Sequence, residues 1–224
     1  LNDALGKQMQ SYFAENMNTY LLSVQQHLIV SIAALLIAST IGIVGAFFCL
    51  KYAKQEKWIA GFFQILRIVP SLAVLLLLLP LMGTGLRPAL TALVLLAIPS
   101  ILLNTIAGLR NVSSDLLEAA SGMGMTERQA LWKVRVPLAM PLILTGVKTA
   151  IIEIVASATL AAKIGAGGLG DLIFTGLGLN RIDLLLIGGL SVALIAVVAS
   201  LILDLTEKNL VINKFKNRKR GFQG

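Results

Sequence analysis

Long stretches of this chain carry no charge at all, and that restricts its fold more than any other feature. Residues 28–50, 68–86, 88–109 and 184–203 form uncharged runs of 23, 19, 22 and 20 residues, the last bounded by Asp183 and Asp204. A fifth run, 136–162, covers 27 residues and is interrupted only by Lys148 and Glu153. A helix rises about 1.5 Å per residue, so about 20 such residues cross a hydrocarbon core ~30 Å thick. Five buried core helices of this length have no place in a soluble chain of 224 residues. Charged residues make up 13% of the chain, against about 25% in soluble domains. Disorder, a nucleic-acid-binding tail and a conventional cytosolic enzyme are excluded on that ground. The sequence therefore predicts an all-α membrane protein of about five transmembrane helices.

The runs differ in their connections. The second and third are separated only by Gly83-Thr84-Gly85-Leu86-Arg87-Pro88 and are predicted to form an antiparallel hairpin, with Pro88 in a helical first turn. Pro70, Pro80, Pro99 and Pro141 predict kinks or broken starts, which a membrane bundle tolerates when neighbours satisfy the freed carbonyls. Within residues 3–18, Leu5, Met9, Tyr12, Phe13 and Met17 recur at helical spacing against Asp3, Lys7, Gln10 and Glu15, the pattern of a helix lying in the interface. The expected organisation is an interfacial helix at 1–23, a transmembrane domain at 24–207 with a cytoplasmic loop at 110–137, and a basic cytoplasmic tail at 208–224. The chain opens at Leu1, so an upstream residue or segment is expected; residues 1–23 lack the basic start and apolar run of a cleavable signal.

Orientation follows from the basic residues. With the N-terminus outside, 13 of the 19 Lys and Arg residues fall on inner segments and 4 on outer ones, while Arg67 and Lys148 lie within spans. The net charge of +8 is thus largely positive-inside charge, and the terminal KFKNRKR reads as an anchor near anionic lipid. One cysteine (Cys49) and one histidine (His27) leave no disulfide framework and no Cys/His zinc set. His27, at the outer edge of the first span, is given no proton role.

Residues 110–135 are the only sizeable hydrophilic excursion on the inner side, and their chemistry predicts two short helices. Ser114 is placed as the cap of the first, with Asp115 and Glu118 near its positive end, and Gly122 and Gly124 interrupt it. Thr126-Glu127-Arg128-Gln129 is a capping-box pattern that starts the second at Glu127. Pro137 marks entry into the next span. A rigid amphipathic protrusion of this kind suits a partner's groove, although any loop between spans can order itself as a helical hairpin.

Glu118-Ala119-Ala120, three residues, Gly124, nine residues, then Val134-Arg135-Val136-Pro137 resembles the EAA loop of ABC importer permeases, with Val134 and Val136 in place of Ile and Leu. The resemblance extends across most of the chain. Pro70-Ser71-Leu72-Ala73, Gly83-Thr84-Gly85, Asn104-Thr105, EAASGMGMT, LWKVRVPLAMP and ATLAAKIGAGGLGDLIF are similar to the osmoprotectant (glycine betaine/choline/carnitine) permease group. Arg67, Ile43 and Glu153 depart from that group's pattern. The resemblance implies a type I ABC importer fold like that of methionine permeases, in a bacterial inner membrane. It also implies a second permease subunit, two cytoplasmic ATPase subunits that carry Mg-ATP, and an external substrate-binding protein. In that family the loop helix containing Gly124 docks into a cleft on the ATPase. Carried over by position, Glu118, Ala119, Ala120, Gly124 and Pro137 are motif residues, and Glu127, Arg128, Gln129 and Leu131 are contacts.

The expected translocation path or gate comprises Pro70, Ser71, Asn104, Lys148, Glu153, Gly167 and Gly168. Lys148 and Glu153 each cost about 2.5–3.5 kcal/mol at mid-bilayer, so each is expected to face the bundle or a wet cavity. Five residues separate them by about 140° around a helix, so each is expected to meet a partner elsewhere. A structural ion pair, or a carboxylate held by a hydroxyl such as that of Ser157, is preferred for Glu153 over a role beside the path. Arg67 is expected to snorkel to the cytoplasmic surface. GAGGLGDLIFTGLG at 165–178 lacks the Lys-Ser/Thr ending of a phosphate loop and follows no strand, so it reads as a re-entrant turn or outer gate, or as close helix packing. The chain carries no cofactor or catalytic set and hydrolyses nothing itself. Its interior offers no evident aromatic cage for a quaternary ammonium ion, so selection is expected in the binding protein. An ion-coupled secondary transporter is the competing class, and it would need internal repeats and a midplane ion site. A structural scaffold would leave the loop motif without a role, and a permease for another small polar solute would keep it.

Overall fold

The computed structural model describes residues 2–220, and these are built from helices and short connections. They are α1 (Asn2–Lys51), α2 (Ala53–Leu66), α3 (Ser71–Met82), α4 (Leu86–Arg110), α5 (Ser114–Gly122), α6 (Glu127–Ala130), α7 (Val136–Ala161), α8 (Leu169–Gly178) and α9 (Ile182–Arg220). A π-helical turn, Leu131–Arg135, joins α6 to α7, and a 3-10 turn, Ala162–Ile164, follows α7. Among the described residues four helices are long and apolar enough to cross a membrane, and a fifth crossing exists if α2 and α3 count together.

That fifth crossing is the main departure from the charge-free runs. Residues 68–86 do not form one helix: α2 and α3 meet at a bend of 96° around Arg67 and Pro70. At 12 residues, α3 is about 18 Å long, too short to traverse the core alone. The residue before a proline is driven from helical backbone, so the break falls where Pro70 puts it. The hairpin between α3 and α4 forms as expected, through Gly83 and Gly85 at φ of 75° and 110°.

The first helix also differs. Non-helical backbone at Asn16 (φ −124°, ψ 19°) divides α1 into a short N-terminal segment and a long one that runs to Lys51, so the break falls earlier than residue 23. Part of the apolar stripe near its start meets protein: Met9, Tyr12, Phe13, Tyr20 and Val24 pack against Leu169, Leu172, Leu184 and Ile187 of α8 and α9. The Tyr20 hydroxyl lies 2.8 Å from Ser191 Oγ, while Met17 stays outward. At the other end α9 continues past residue 207; residues 221–224 of the expected basic tail lie outside the described residues.

The centre of the bundle is α4, whose apolar window is 72% buried within the chain, against 11% for α9. It packs chiefly on α7 and α1. Small residues permit this: a Cβ on Gly146 would stand 2.8 Å from Asn104 Cβ and 2.9 Å from the Ser100 carbonyl oxygen, and one on Gly42 would stand 3.0 Å from Ile101 Cβ. Lipid tails are as apolar as leucine, so close van der Waals contact, and not transfer from water, holds such helices together. The exposed Ile, Leu and Val side chains of α1 and α9 give these helices an apolar outer face.

Candidate functional site

The hydrophilic loop between α4 and α7 is shaped by two consecutive caps. Ser113, one residue before the expected cap, begins α5: its Oγ accepts the Asp115 N–H at 3.2 Å. At the far end the Met125 N–H donates to the Ala120 carbonyl (3.1 Å) and the Gly124 N–H to the Ser121 carbonyl (2.9 Å). This six-to-one and five-to-two pair is a Schellman stop, which requires a left-handed residue where Gly124 stands at φ 79°. Gly124 is therefore the turn between the loop helices and not part of one. Thr126 then opens α6: its N–H donates to Gln129 Oε1 at 2.9 Å, and its Oγ1 accepts the Gln129 N–H at 3.3 Å, the expected capping box.

The second loop helix does not end at Pro137. Through the wide turn at Leu131–Arg135, helix continues from Glu127 to Ile164. Pro137 has no N–H for the Lys133 carbonyl, and the widened turn falls there. The loop's second arm and the span are thus one rod. Glu118, Ala119, Gly124, Glu127, Arg128 and Gln129 lie on the surface; Leu131 and Pro137 are half-buried, and Ala120 is buried beneath the turn. Three exposed apolar residues not anticipated as contacts, Leu116, Met123 and Trp132, share this loop; their signal is apolar side chains in an otherwise hydrophilic segment. Arg110 at the end of α4 pairs with Glu56 of α2, tying the broken crossing to the base of the loop.

Deeper in the bundle, α7 carries an exposed stripe unlike the apolar outer faces of α1 and α9: Thr145, Thr149, Ile152, Ala156 and Thr159, half-exposed or exposed. At about 100° per residue, Glu153 borders this stripe on one side and Lys148 on the other. Each finds a partner on another helix, as expected. Lys148 Nζ lies 2.6 Å from Asp204 Oδ1 on α9. Glu153 Oε2 accepts the Ser100 hydroxyl of α4 at 2.7 Å, so Ser157 is not the hydroxyl involved. Glu153 Oε1 stands 3.7 Å from Arg67 Nη2. Arg67 therefore does not snorkel away; the break after α2 turns it toward Glu153. Asn104 joins the group by donating to the Ser100 carbonyl at 2.7 Å, and Pro70 and Ser71 form the start of α3 beyond Arg67.

Gly167 and Gly168 belong to a different place. They turn the chain into α8 at φ 74° and 87°, and the Gly168 N–H donates to Gln26 Oε1 of α1 at 3.1 Å. The preceding turn is tied to the α3–α4 hairpin by the Gly85 N–H and the Ile164 carbonyl, 2.6 Å apart. His27, 2% exposed, abuts Gly168. Asp171, in the first turn of α8, is exposed beside this glycine turn. No group of three or more His, Cys, Asp and Glu suited to a metal occurs among the described residues.

A helical membrane subunit with a rigid polar protrusion rooted in one crossing is the class this arrangement defines. The chain matches the family of binding-protein-dependent transport system inner membrane components over residues 38–211, and it belongs to that family. It is 36% identical to the carnitine transport permease protein OpuCB of Listeria monocytogenes, over 94% of this chain and 97% of that one. It is 34% identical to the glycine betaine/carnitine/choline transport system permease protein OpuCB of Bacillus subtilis, over 91% and 94%. Among solved structures, an inward-facing MetNI methionine ABC transporter superposes with TM-score 0.76 at 21% identity, over 88% of this chain and 98% of that one. An amino acid ABC transporter gives TM-score 0.75 at 20% identity, over 88% and 96%. The fold is that of a type I ABC importer permease, and the chain is a multi-pass membrane subunit.

Proposed function

We propose that this chain forms the translocation path of an ATP-driven importer for a small compatible solute such as a betaine, choline or carnitine. The observation that carries this reading is the loop between α4 and α7: a Schellman stop at Gly124 followed by a capping box at Thr126 fixes a stiff knob, and its second arm is continuous with α7. Force applied to the knob moves a crossing helix directly. The relatives named for carnitine, glycine betaine and choline supply the solute class.

In this reading two permease subunits pair across the threonine stripe of α7, since one chain leaves that polar seam open. Two cytoplasmic ATPase subunits bind Mg-ATP and grip the loop through Glu118, Ala119, Gly124, Glu127, Arg128 and Gln129, with Leu116, Met123 and Trp132 as apolar anchors. This chain hydrolyses nothing. The N-terminus faces outside and the basic tail faces the cytoplasm, and an external binding protein delivers the solute near the glycine turn at 165–168. Docking outside and nucleotide inside drive the cycle by favouring different states of the bundle.

The test is uptake into proteoliposomes that contain the permease, its ATPase and its binding protein. Glycine betaine, choline or carnitine is expected to accumulate with ATP and without an ion gradient, and to stop when the binding protein is omitted. Uptake that needs an ion gradient and ignores ATP would overturn the reading in favour of a secondary transporter.

A further inference from the structure

Arg67 and Glu153 present opposite charges to one space deep in the bundle. Glu153 is held by Ser100, which lies about 15 Å along α4 from its Arg110 end and about 21 Å from its Leu86 end, so the pair meets partway along a crossing helix. Its 3.7 Å approach to Glu153 is an ion pair without a hydrogen bond. Among the described residues the Arg67 side chain donates no hydrogen bond, and Glu153 is its ion-pair partner. Glu153 has one oxygen held by Ser100 and the other turned toward Arg67. The two side chains are 47% and 34% exposed, so the pair is open on one side. Charged groups at this depth do not face lipid, and Glu153 borders the threonine stripe of α7. The open side therefore looks onto that polar seam.

We infer that the Arg67–Glu153 pair is a low-affinity site for a zwitterion, with the solute's carboxylate on Arg67 and its cationic group beside Glu153. The inference rests on the importer reading above and adds that the permease chain itself reads charge type. A guanidinium offers a carboxylate two parallel N–H donors. A quaternary ammonium donates no hydrogen bond and needs only a nearby negative charge, which Glu153 supplies. The zwitterion replaces the loose contact between the two side chains and satisfies both. A bare cation is opposed by Arg67 and a bare anion by Glu153, so each is disfavoured by an unpaired like charge. The binding protein chooses which solute arrives; this pair sets how tightly each charge pattern is held on its way through.

The test is equilibrium binding of radiolabelled glycine betaine to the assembled permease–ATPase complex in nanodiscs without binding protein. Choline and 3,3-dimethylbutanoate are the cationic and anionic competitors of matched shape. Wild type is expected to bind glycine betaine at millimolar concentration and each competitor about tenfold more weakly, the size of one lost charged hydrogen-bond interaction. Arg67→Gln is expected to weaken glycine betaine while improving choline. Glu153→Gln is expected to weaken glycine betaine while improving 3,3-dimethylbutanoate. A merely structural pair would not reverse these preferences. If either neutral variant fails to assemble, Arg67→Lys and Glu153→Asp, which retain the charges, are expected to keep the wild-type order, and loss of that order would overturn the site. No saturable glycine betaine binding to wild type, or equal weakening of all three ligands in both variants, would also overturn it. ATP-driven uptake by the full complex, run in parallel, separates the two claims: uptake without binding removes only this site, whereas ATP-independent uptake removes the importer reading.

Discussion

Replacing Gly146 by alanine tests the packing that holds the charged seam in place. The added Cβ would stand 2.8 Å from Asn104 Cβ, 2.9 Å from the Ser100 carbonyl oxygen and 3.3 Å from Ile101 Cα. Carbon atoms settle at about 3.5 Å or more, so α7 and α4 must part by about 0.7 Å, and the obstructing atoms belong mostly to backbone. Overpacking of this kind costs about 1–3 kcal/mol, and removing a helix-interior glycine returns about 0.5–1 kcal/mol. At the middle of both ranges the net loss is about 1.3 kcal/mol. At about 2–4 °C per kcal/mol for a chain of this size, the unfolding midpoint should fall by about 3–5 °C. Gly189 in α9 has nothing within 4 Å of its virtual Cβ, so Gly189→Ala gains the propensity term alone and should raise the midpoint by about 1–4 °C. A thiol-reactive dye reads both, because Cys49 is the one cysteine of the chain and is fully buried. If Gly146→Ala proves as stable as Gly189→Ala, the close α4–α7 approach is not what holds the bundle.

Gly124→Ala forces a side chain into the left-handed region at about 1–2 kcal/mol; ATP-driven uptake should fall and amides at 114–135 should exchange faster, while Gly122→Ala, helical and with open space around it, should keep uptake and leave those amides at least as protected. Lys148→Met strands Asp204, and since the pair is about one-third exposed the loss should be about 1–2 kcal/mol, below that of a sealed pair; adding Asp204→Leu should recover most of it in the same dye assay. Gly167→Ala meets both a φ of 74° and Gln26 Oε1 at 2.7 Å, so it should expose the Gly168 amide to exchange. Its cost should be smaller on a Gln26→Ala background, because the two changes share one contact.

The loop between α4 and α7 is the most legible part of the site, and for a local reason. Capping boxes and glycine stops are interactions between residues three to six apart, so Thr126, Gln129 and Gly124 can be read without any tertiary contact. Sequence puts the cap of α5 one residue late because Ser113 and Ser114 are equivalent by type, and only backbone conformation separates them. Pro137 looks like a boundary because proline breaks helices; the π turn before it absorbs the missing N–H and keeps the rod continuous. Arg67 departs furthest from expectation. Its neighbours in sequence include an apolar run and a tryptophan at residue 58, which fit a snorkelling side chain, and Glu153 stands 86 positions away.

Sequence alone determined that this chain lives in a membrane, roughly how many crossings it makes and where its polar knob lies, because charge exclusion by lipid and capping within a turn both act along the chain. Tertiary structure decided which polar groups meet inside: Lys148 with Asp204, Glu153 with Ser100 and Arg67, Gly168 with Gln26. Those pairings depend on which helix faces touch, and glycines at 42, 108 and 146 set how closely they do. It also decided that the second crossing is broken, since a proline permits either a kink or a 96° bend and only the neighbours around Arg67 settle which.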